Sequence, residues 1–378
     1  MIRARLFAAA LAALAAGAAM PVAAQGVHRD READIRGGIY VTSDAYNAPQ
    51  MWKNFNAKEI DRDLGYAQKI HLNALRVWAS YEYWQTNPAD FQAKFDQFLA
   101  LSHKHGIRIL ISLFENDGVA PTPEHMWSID PKTAFSIQSP GNKIANGPEE
   151  GWAEPRGFVE WFMKRYGKDD RLIAIEVMNE PRAGKDGAKG TLPFTHAMLA
   201  TAKALQGSVP LTVGTARIGE AKALIPLGID IIEIHNNFPR DPADMKNAIE
   251  QAMAVGKEAN LPVWLTEWQR VRPGGNGRGG KGIANAERGP DYASLASTVN
   301  AYPVATFFWS VMVKPAYLQR QRHIGTVNGL FWPDGSVVSL KDARAIAEDP
   351  KLVLREKPIP ETFGMGGVQS KPDDKADE

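Results

Sequence analysis

Two glutamates lie at the C-terminal ends of two separate apolar runs. Glu180 follows LIAIEVM (172–178) directly after Asn179, and Glu267 lies near the end of PVWLTEW (262–268). Two facing carboxyl groups about 5–5.5 Å apart can break an acetal bond, because one protonates the leaving oxygen while the other attacks the carbon. The alternative is that both glutamates are rim residues in structural ion pairs.

Eight strand-like runs would have to position these carboxylates. The runs are rich in Ile, Val, Leu and aromatic residues without clean polar alternation, which is typical of parallel strands covered on both faces. They span residues 37–42, 74–79, 107–114, 172–178, 210–215, 229–235, 262–268 and 305–312. Helical patterns separate them, among which are 57–71, 88–106 and 241–260.

This alternation predicts one α/β domain, a (β/α)8 TIM barrel. Catalytic groups of such barrels lie at the C-terminal ends of the strands, and the fourth and seventh strands face each other. Glu180 and Glu267 are therefore expected to converge. A doubly wound open sheet is the alternative, but no strand leads through a Gly-rich phosphate loop into a helix; the Gly-rich stretch 272–280 leads into no immediate helix.

The residues at these strand ends resemble clan A of the glycoside hydrolases, and most nearly family five, the cellulase and mannanase family. Asn-Glu-Pro at 179–181 matches the motif of the clan, which implies that Glu180 is the general acid/base. Glu267 on strand seven matches the nucleophile, and Arg76 in LRVWA matches the strand-two arginine that supports it. The resemblance covers residues 35–350 and is specific, since the motifs fall in order on the expected strands.

The resemblance also implies residues that bind sugar. Asn179 would hydrogen-bond the 2-hydroxyl, His235 matches a strand-six histidine, and Trp309 in FFWS matches the strand-eight tryptophan under the sugar. Two departures concern the substrate: strand six reads HNN (235–237) where the family usually has His-x-Tyr, and LFEND (113–117) stands where strand three usually ends in histidine. The candidate substrate-binding residues are Arg76, Asn179, His235, Asn237, Trp309, Trp268 and Trp84.

These residues also have structural interpretations. Arg76 needs a carboxylate partner whether it points into the barrel mouth beside Glu267 or forms a buried ion pair at the helix layer. His235 could be a satisfied core histidine, and Trp309 could fill the core, although an indole ring stacks well on the apolar face of a sugar.

The loops at the predicted mouth are rich in tryptophan and in basic residues. Several of the ten tryptophans fall there, and about half of those are expected in a glycan groove: Trp52, Trp84, Trp127, Trp152, Trp268 and Trp332. Basic residues outnumber acidic ones after strands four, seven and eight, namely Arg182, Lys185, Lys189, Arg270, Arg272, Arg278, Lys281, Arg288, Lys314, Arg320, Arg322 and His323. They indicate either an anionic, uronate-bearing substrate or a solvated loop surface beside a neutral β-glucan or β-mannan.

The composition excludes several classes of protein. The chain has no cysteine, so it forms neither disulfides nor a thiol nucleophile. Its 44 Lys and Arg balance 43 Asp and Glu, so no nucleic-acid partner is expected. The eight histidines show neither His-x-His nor His-Glu-x-x-His spacing, so no metal or other cofactor is expected.

The two ends of the chain are expected to lie outside the domain. Residues 1–24 have the pattern of an export signal, because Arg3 and Arg5 precede an apolar stretch that ends in small residues; a retained anchor is the alternative. The catalytic domain would then be 25–364, with 365–378 a disordered tail. The mature chain would be periplasmic or secreted and would lack a membrane anchor.

These features predict a retaining glycoside hydrolase that cleaves β-glycosidic bonds of a polysaccharide or oligosaccharide by double displacement. A transglycosylase on the same scaffold and a non-catalytic glycan-binding barrel are the alternatives. We expect a raised pKa for Glu180, which would keep its proton near neutrality, and an ionised Glu267 beside Arg76.

Overall fold

The computed structural model describes residues 32–184, 190–270, 288–323, 325–360 and 363. Eight parallel strands form one sheet in the order β5-β4-β3-β2-β1-β8-β7-β6. They are β1 (Arg36–Ile39), β2 (Ala74–Trp78), β3 (Arg108–Ser112), β4 (Leu172–Asn179), β5 (Leu211–Gly214), β6 (Ile232–Asn237), β7 (Val263–Gln269) and β8 (Ala305–Phe308).

The first and last strands of this series pair with each other. Gly37 of β1 aligns with Phe307 of β8 on one side and with Ala74 of β2 on the other. An open doubly wound sheet has no such pairing between its first and last strands. The predicted single-domain (β/α)8 barrel is therefore confirmed, with a strand at each of the eight predicted places.

The barrel closes differently between β5 and β6, which share no strand ladder although both are described throughout. Single backbone bonds join them: His235 N–H donates to Thr215 O and Asp230 N–H donates to Leu211 O, each at 2.8 Å. The Thr215 hydroxyl adds a bond of 2.6 Å to Glu233 O. We call this junction the β5–β6 seam; isolated bonds and side chains hold it together.

Helices fill the connections and cover the outside of the barrel. They are α1 (Ala48–Lys53), α2 (Ala57–Lys69), α3 (Tyr81–Thr86), α4 (Pro88–Lys104), α5 (Pro123–Trp127), α6 (Gly141–Ala145), α7 (Ala153–Tyr166), α8 (Leu192–Ala204), α9 (Ile218–Leu224), α10 (Pro242–Ala259), α11 (Ala293–Asn300), α12 (Gln319–His323) and α13 (Leu340–Ala347). A short antiparallel hairpin, β9 (Lys314–Pro315) and β10 (Val327–Asn328), follows β8.

Local signals in the sequence set the helix ends. The Asn56 side chain accepts the N–H of Glu59 at the start of α2, and Asp241 caps α10 in the same way. At the other end of α10, Asn260 takes a left-handed φ of 53°, which asparagine tolerates better than most residues. The three predicted helices are confirmed as α2, α4 and α10.

The inside of the barrel is a packed core. Ile39, Leu110, Trp264 and Phe307 are buried there in one apolar cluster. A Cβ atom on Gly37 would lie 2.2 Å from the Phe307 ring, so glycine is needed where this strand passes the aromatic ring. The filled interior leaves the mouth as the place where polar side chains can gather.

A larger apolar layer lies between the strands and the helices. Trp52 of α1 is fully buried there, with Phe91, Phe95 and Phe98 of α4 at 5.2–5.7 Å between ring centroids. Its indole Nε1 donates to Trp78 O at 2.8 Å, which ties α1 to the end of β2. This packing holds the end of β2 in place under the mouth.

None of the described helices is long and apolar enough to cross a membrane. The predicted export signal 1–24 and tail 365–378 lie outside the described residues.

Candidate active site

The two predicted carboxylates meet across the mouth of the barrel. Glu180 directly follows β4 and takes a left-handed φ of 43°, while Glu267 lies in β7. One carboxylate oxygen of each and a ring nitrogen of His235 all lie within 4.8 Å of one another. This spacing suits a pair in which one carboxyl group protonates and the other attacks, for which about 5–5.5 Å is usual.

Arg76 is the centre of a buried charge cluster beneath these glutamates. Its guanidinium donates to Glu267 Oε1 at 2.6 Å, to Glu176 Oε2 and Oε1 at 2.6 and 2.7 Å, and to Asn179 Oδ1 at 2.7 Å. Burial by itself lowers the pKa of Arg76, but Glu176 and Glu267 hold it well above its ordinary value. Arg76 thus points into the barrel. Sequence reasoning missed Glu176, although a glutamate inside an apolar strand is a signal.

His235 contacts both catalytic glutamates. Its Nδ1 lies 2.6 Å from Glu180 Oε1 and 3.6 Å from Glu267 Oε2, and its Nε2 lies 3.9 Å from Glu233 Oε1. Burial lowers the pKa of His235, but the charge of Glu267 and the hydrogen bond to Glu180 hold it well above its ordinary value. The imidazole is therefore protonated at neutral pH and donates to Glu180.

The expectation of a raised pKa for Glu180 is wrong. Burial raises this pKa, but the hydrogen bond and the charge of His235 outweigh it and lower the pKa of Glu180 to about 2. The two side chains share one proton, and in this arrangement it lies on His235. Moving that proton to Glu180 leaves the charge of the pair unchanged, so the pair can still supply an acid.

Asp117 is a further acid beside Glu180. Burial and the charge of Glu180 raise the pKa of Asp117 to about 7, although Arg182 opposes the shift. Arg182 Nη2 donates to Asp117 Oδ1. A second proton can therefore reside close to Glu180 near neutrality. The sequence does not predict a role for Asp117; its stretch, 113–117, only departs from the family pattern.

Asn179 is held on both sides of its amide. Its Oδ1 accepts from Arg76, and its Nδ2 donates to Glu115 Oε1 and Oε2 at 2.8 and 3.0 Å. Burial raises the pKa of Glu115 well above its ordinary value. These contacts allow one amide orientation only. Glu115, also unpredicted, belongs to the stretch that stands where the family usually has histidine.

Three amides in series lead to Glu267, and we call them the amide relay. Asn237 Nδ2 donates to Glu267 Oε2 at 2.6 Å, Gln269 Nε2 donates to Asn237 Oδ1 at 3.2 Å, and Asn328 Nδ2 donates to Gln269 Oε1 at 2.8 Å. An ionised carboxylate only accepts, so Asn237 must donate to it, and this fixes the other two amides. Asn237 thereby contacts the predicted nucleophile, as the tyrosine of the family would. No sequence motif indicated Gln269 or Asn328.

Trp309 lies at the site, and Trp78 lies beside it. The Trp309 ring is 5.8 Å from Trp78 and 5.2 Å from Tyr317, both edge-on. All three line a recess that Glu115 also borders. Trp78 was not among the predicted substrate-binding residues.

The structure does not bring Trp268 or Trp84 to this site. Trp268 follows Glu267 in β7, so its side chain points the other way, toward the helices, where it packs against Tyr292 at 5.8 Å. Trp84 of α3 packs on Phe158 at 5.0 Å. The buried tryptophans Trp52, Trp152 and Trp332 also belong to packing layers, and Trp127 packs against the same outer core.

Five of the basic loop residues have structural partners: Arg182 binds Asp117, Arg270 binds Ser294, and the other three bind backbone oxygens. Lys314 donates to the carbonyls of Thr42 and Ala45, and Arg322 donates to Ala316 O at 2.6 Å. Arg288 is buried and donates to Gly325 O at 2.8 Å. These three side chains bind backbone oxygens, which weighs against their reading an anionic substrate. Lys185, Lys189, Arg272, Arg278 and Lys281 lie outside the described residues.

Among the described residues, Glu180, His235 and Glu267 are grouped closely enough to hold a metal ion. However, Glu267 already accepts from Arg76 on one oxygen and from Asn237 on the other. A cation there would compete with a buried guanidinium for the same carboxylate. These contacts suit a carboxylate kept ready for attack better than a metal ligand.

Comparisons with known proteins agree with this geometry. A sequence model of the cellulase family (glycosyl hydrolase family 5) matches residues 42–314. No curated protein is significantly similar to the chain.

Solved structures share the fold. An exo-β-1,4-mannosidase, Op5Man5 from Opitutaceae bacterium strain TAV5, is 14% identical with a TM-score of 0.60; the match covers 85% of this chain and 61% of that one. GH5_18 from Streptomyces cattleya, solved with GlcNAc, is 14% identical with a TM-score of 0.57 (86% and 82% covered). An endo-1,4-β-D-mannanase from Thermotoga petrophila RKU-1 is 16% identical with a TM-score of 0.51 (73% and 88% covered).

The family match spans most of the barrel, including every residue of the charge cluster around Arg76. The chain belongs to glycosyl hydrolase family 5 and is a glycoside hydrolase.

Proposed function

We propose that the protein is a retaining hydrolase of β-glycosidic bonds, with Glu267 as nucleophile and Glu180 as general acid/base. The observation that carries the proposal is the placement of the two carboxylates within 4.8 Å of each other and of His235. Arg76 and Asn237 bind the two oxygens of Glu267 and orient it.

The reaction would proceed in two displacements. A Glu267 oxygen attacks the anomeric carbon while Glu180 gives its proton to the leaving glycosidic oxygen, and a glycosyl ester forms on Glu267. Water then attacks the same carbon; Glu180 takes a proton from it, and the ester bond to Glu267 breaks. In every turnover, His235 returns the shared proton to Glu180 before the first displacement.

The proposed substrate is a neutral β-mannan or β-glucan, or an oligosaccharide of either. The structural neighbours include an exo-β-1,4-mannosidase and an endo-β-1,4-mannanase, which favours β-mannosides as the first substrates to test. The buried, backbone-bound positions of Lys314, Arg322 and Arg288 weigh against an anionic glycan.

Product analysis tests this proposal. The purified chain is incubated with β-1,4-mannotriose, cellotriose and a β-1,4-linked mannuronate trisaccharide, and NMR follows the anomer of the first product. Release of the β-anomer from a neutral trisaccharide is expected. Initial release of the α-anomer would overturn retention. Longer oligosaccharides instead of monosaccharides would indicate transglycosylation, and binding without any product would indicate a non-catalytic glycan-binding barrel.

Replacing His235 by Gln is expected to move the alkaline limb of kcat/KM to lower pH. The single proton of the His235–Glu180 pair is held by two sites, and removing the imidazole weakens its binding. A more weakly held proton leaves at lower pH; a shift of one unit lowers the rate about ten-fold on the alkaline side. The exposed His196→Gln is the control, and an unmoved limb in His235→Gln would contradict the shared proton.

Replacing Asn237 by Ala is expected to lower kcat about ten- to a hundred-fold. The loss corresponds to a hydrogen bond to a charged group, about 1.5–3 kcal/mol. Neighbouring Asn236 contacts Met245 Sδ instead, so Asn236→Ala is the matched control. The measurement is the steady-state kcat of both variants. Equal losses of kcat in the two would refute a specific role for the amide relay.

Export of the chain remains part of the proposal. The basic start and apolar stretch of residues 1–24 support it. Sequencing the N-terminus of protein recovered from periplasm and medium would test cleavage after residue 24.

A further inference from the structure

A recess opens beside the charge cluster of the active site. Loops after β1, β2, β3 and β8 form it, and it has an empty volume of about 500 Å³, counting the space open to solvent. Its lining is mostly apolar and includes Trp78, Phe114, Tyr317 and the partly exposed Trp309. Such a lining suits a sugar residue, because the apolar face of a sugar ring packs well on an aromatic ring.

The recess meets the site on the side of Arg76. The centre of the Trp78 ring lies 4.5 Å from the guanidinium carbon of Arg76, which donates to Glu267. Glu180, in contrast, does not line the recess. In the proposed reaction Glu267 attacks the anomeric carbon of one sugar, and the leaving sugar lies toward Glu180. The recess is therefore on the side of the sugar that is attacked.

The loop after β1 is bound to the long connection between β3 and α6 (113–140), which we call the β3 loop. Asn47 Nδ2 donates to Phe135 O at 3.2 Å, and Gln50 Nε2 donates to two other carbonyl oxygens of the β3 loop, at 3.0 and 2.7 Å. Asn47 and Gln50 are both buried, and Asn47 also lines the recess. Three hydrogen bonds thus join these two loops beside the recess.

The segment after β8 is bound to the same β3 loop. The backbone N–H of Ser136 donates to Tyr317 O at 3.0 Å, and Nη1 of the buried Arg322 donates to Pro131 O at 2.6 Å. Ser136 and Tyr317 both line the recess. We call the three loops joined at Asn47, Ser136 and Tyr317 the closing wall.

We propose that the closing wall ends the sugar-binding cleft, so that the recess holds only the terminal sugar residue at the non-reducing end of the substrate. The hydroxyl that would carry a further sugar in a longer chain faces the wall. The protein then removes one residue at a time from a chain end and does not cut inside a chain. The inference rests on the proposed glycosidase function, because it names the form of substrate that the same site accepts.

The position of the first cut tests this assignment on the native chain. The probes are β-1,4-mannohexaose and cellohexaose, each carrying an aminobenzamide label at the reducing end, and chromatography follows the earliest products. Free monosaccharide and a labelled chain shorter by one residue are expected. Labelled chains of several lengths appearing together, or unlabelled fragments of two or more residues, would overturn the assignment.

Equilibrium binding tests the same point without turnover. Calorimetry is done on Glu267→Gln, which cannot form the glycosyl ester, with β-1,4-mannotriose and cellotriose as probes. A benzylidene acetal on the non-reducing terminal residue should weaken binding at least about ten-fold, since the added ring would overlap the wall. The aminobenzamide label at the other end is the control and should change the affinity little. Equal affinity of the acetal and the free trisaccharide would contradict a closed end.

Loosening the wall tests whether these contacts cause the selectivity. Asn47→Ser with Gln50→Leu removes the three bonds to the β3 loop, while serine keeps an oxygen that can cap α1. This variant should release disaccharide as well as monosaccharide from the hexaoses, and in the Glu267→Gln background it should bind the acetal more tightly. The same two substitutions at the exposed Asn247 and Gln251 of α10 are the matched control and should change neither result.

Melting temperatures check that both double variants are folded. An unchanged product pattern in a folded Asn47→Ser/Gln50→Leu variant would show that the wall does not set the selectivity. Absence of binding of both free trisaccharides to Glu267→Gln would also overturn the assignment. Failure of the proposed function looks different: binding requires a free non-reducing end, but the chain with native Glu267 releases no product.

Discussion

Replacing Glu267 by Gln should lower the rate of glycan cleavage by at least about 10⁴-fold, which is the scale of loss when a covalent nucleophile is removed. An amide cannot form the glycosyl ester, so the first displacement stops. The substitution preserves size, and Gln Oε1 can still accept from Arg76. Its Nε2, however, would face the Asn237 amide donor, so Asn237 has to reverse or retreat. The measurement is the initial rate on the best neutral trisaccharide.

The control for this experiment is Glu150→Gln, which removes an exposed carboxylate on the same chain. It should leave the rate unchanged. Mass spectrometry of the native chain after rapid quenching should detect the glycosyl ester, and Glu267→Gln should show none. Residual activity above about one per cent of the native rate would remove Glu267 from the nucleophile role, since no described group takes its place between Arg76 and Asn237.

Replacing Glu180 by Ala should give a loss that depends on the leaving group. General acid catalysis contributes about 10²–10⁴-fold when the departing oxygen needs a proton, as a sugar hydroxyl does. A dinitrophenolate leaves without a proton. Hydrolysis of a β-1,4-linked trisaccharide should therefore fall by that factor, while formation of the glycosyl ester from a dinitrophenyl β-glycoside should change little.

Each substrate serves as the control for the other in this pair of assays. Because Glu180 also acts as the base for water, the dinitrophenyl glycoside should show a fast burst followed by a slow steady state. Equal losses on both substrates, without a burst, would show that Glu180 acts through the structure of the site and not through its proton.

Most of the scaffold could be predicted from local pattern. Eight apolar runs separated by amphipathic segments define a (β/α)8 barrel, because parallel strands covered on both faces leave that pattern. Once the strand count was known, Glu180 and Glu267 had to lie at the same end of the barrel. The sequence also indicates Asn237, although this residue departs from the family pattern, and its side chain donates to Glu267.

The parts that escaped prediction depend on contacts between distant segments. Glu115 and Asp117 come from the loop after β3 and Asn328 comes from the hairpin after β8, and no local pattern determines the paths of these segments. Trp268, a candidate substrate-binding residue that the structure places away from the site, is a different case. If Glu267 points inward from a strand, its neighbour points outward, so alternation alone assigns Trp268 to the helix-facing layer.

The protonation of Glu180 could not be read from composition. A buried carboxyl group in an apolar strand end is expected to have a raised pKa, but the sign depends on which neighbour donates to it. His235 lies on a different strand, and its Nδ1 lies 2.6 Å from Glu180 Oε1 only because the fold brings the ends of β4 and β6 together. The role of the basic loop residues could not be predicted for the same reason: their partners, such as the backbone carbonyls that bind Lys314 and Arg322, come from other segments.

The β5–β6 seam also bears on the local opening motions of the barrel. Parts of a fold that share few backbone hydrogen bonds open at lower free energy than regular ladders do, and their amides exchange with solvent sooner. Glu180 is bound to the β5 side through Gly214 O at 3.0 Å, while His235 lies on the β6 side. The hydrogen bond between Glu180 and His235 therefore spans the one junction of neighbouring barrel strands that has no strand ladder among the described residues. Local opening of this seam would separate Glu180 from His235, with which it shares a proton. Glu267 would stay hydrogen-bonded to Arg76 and Asn237.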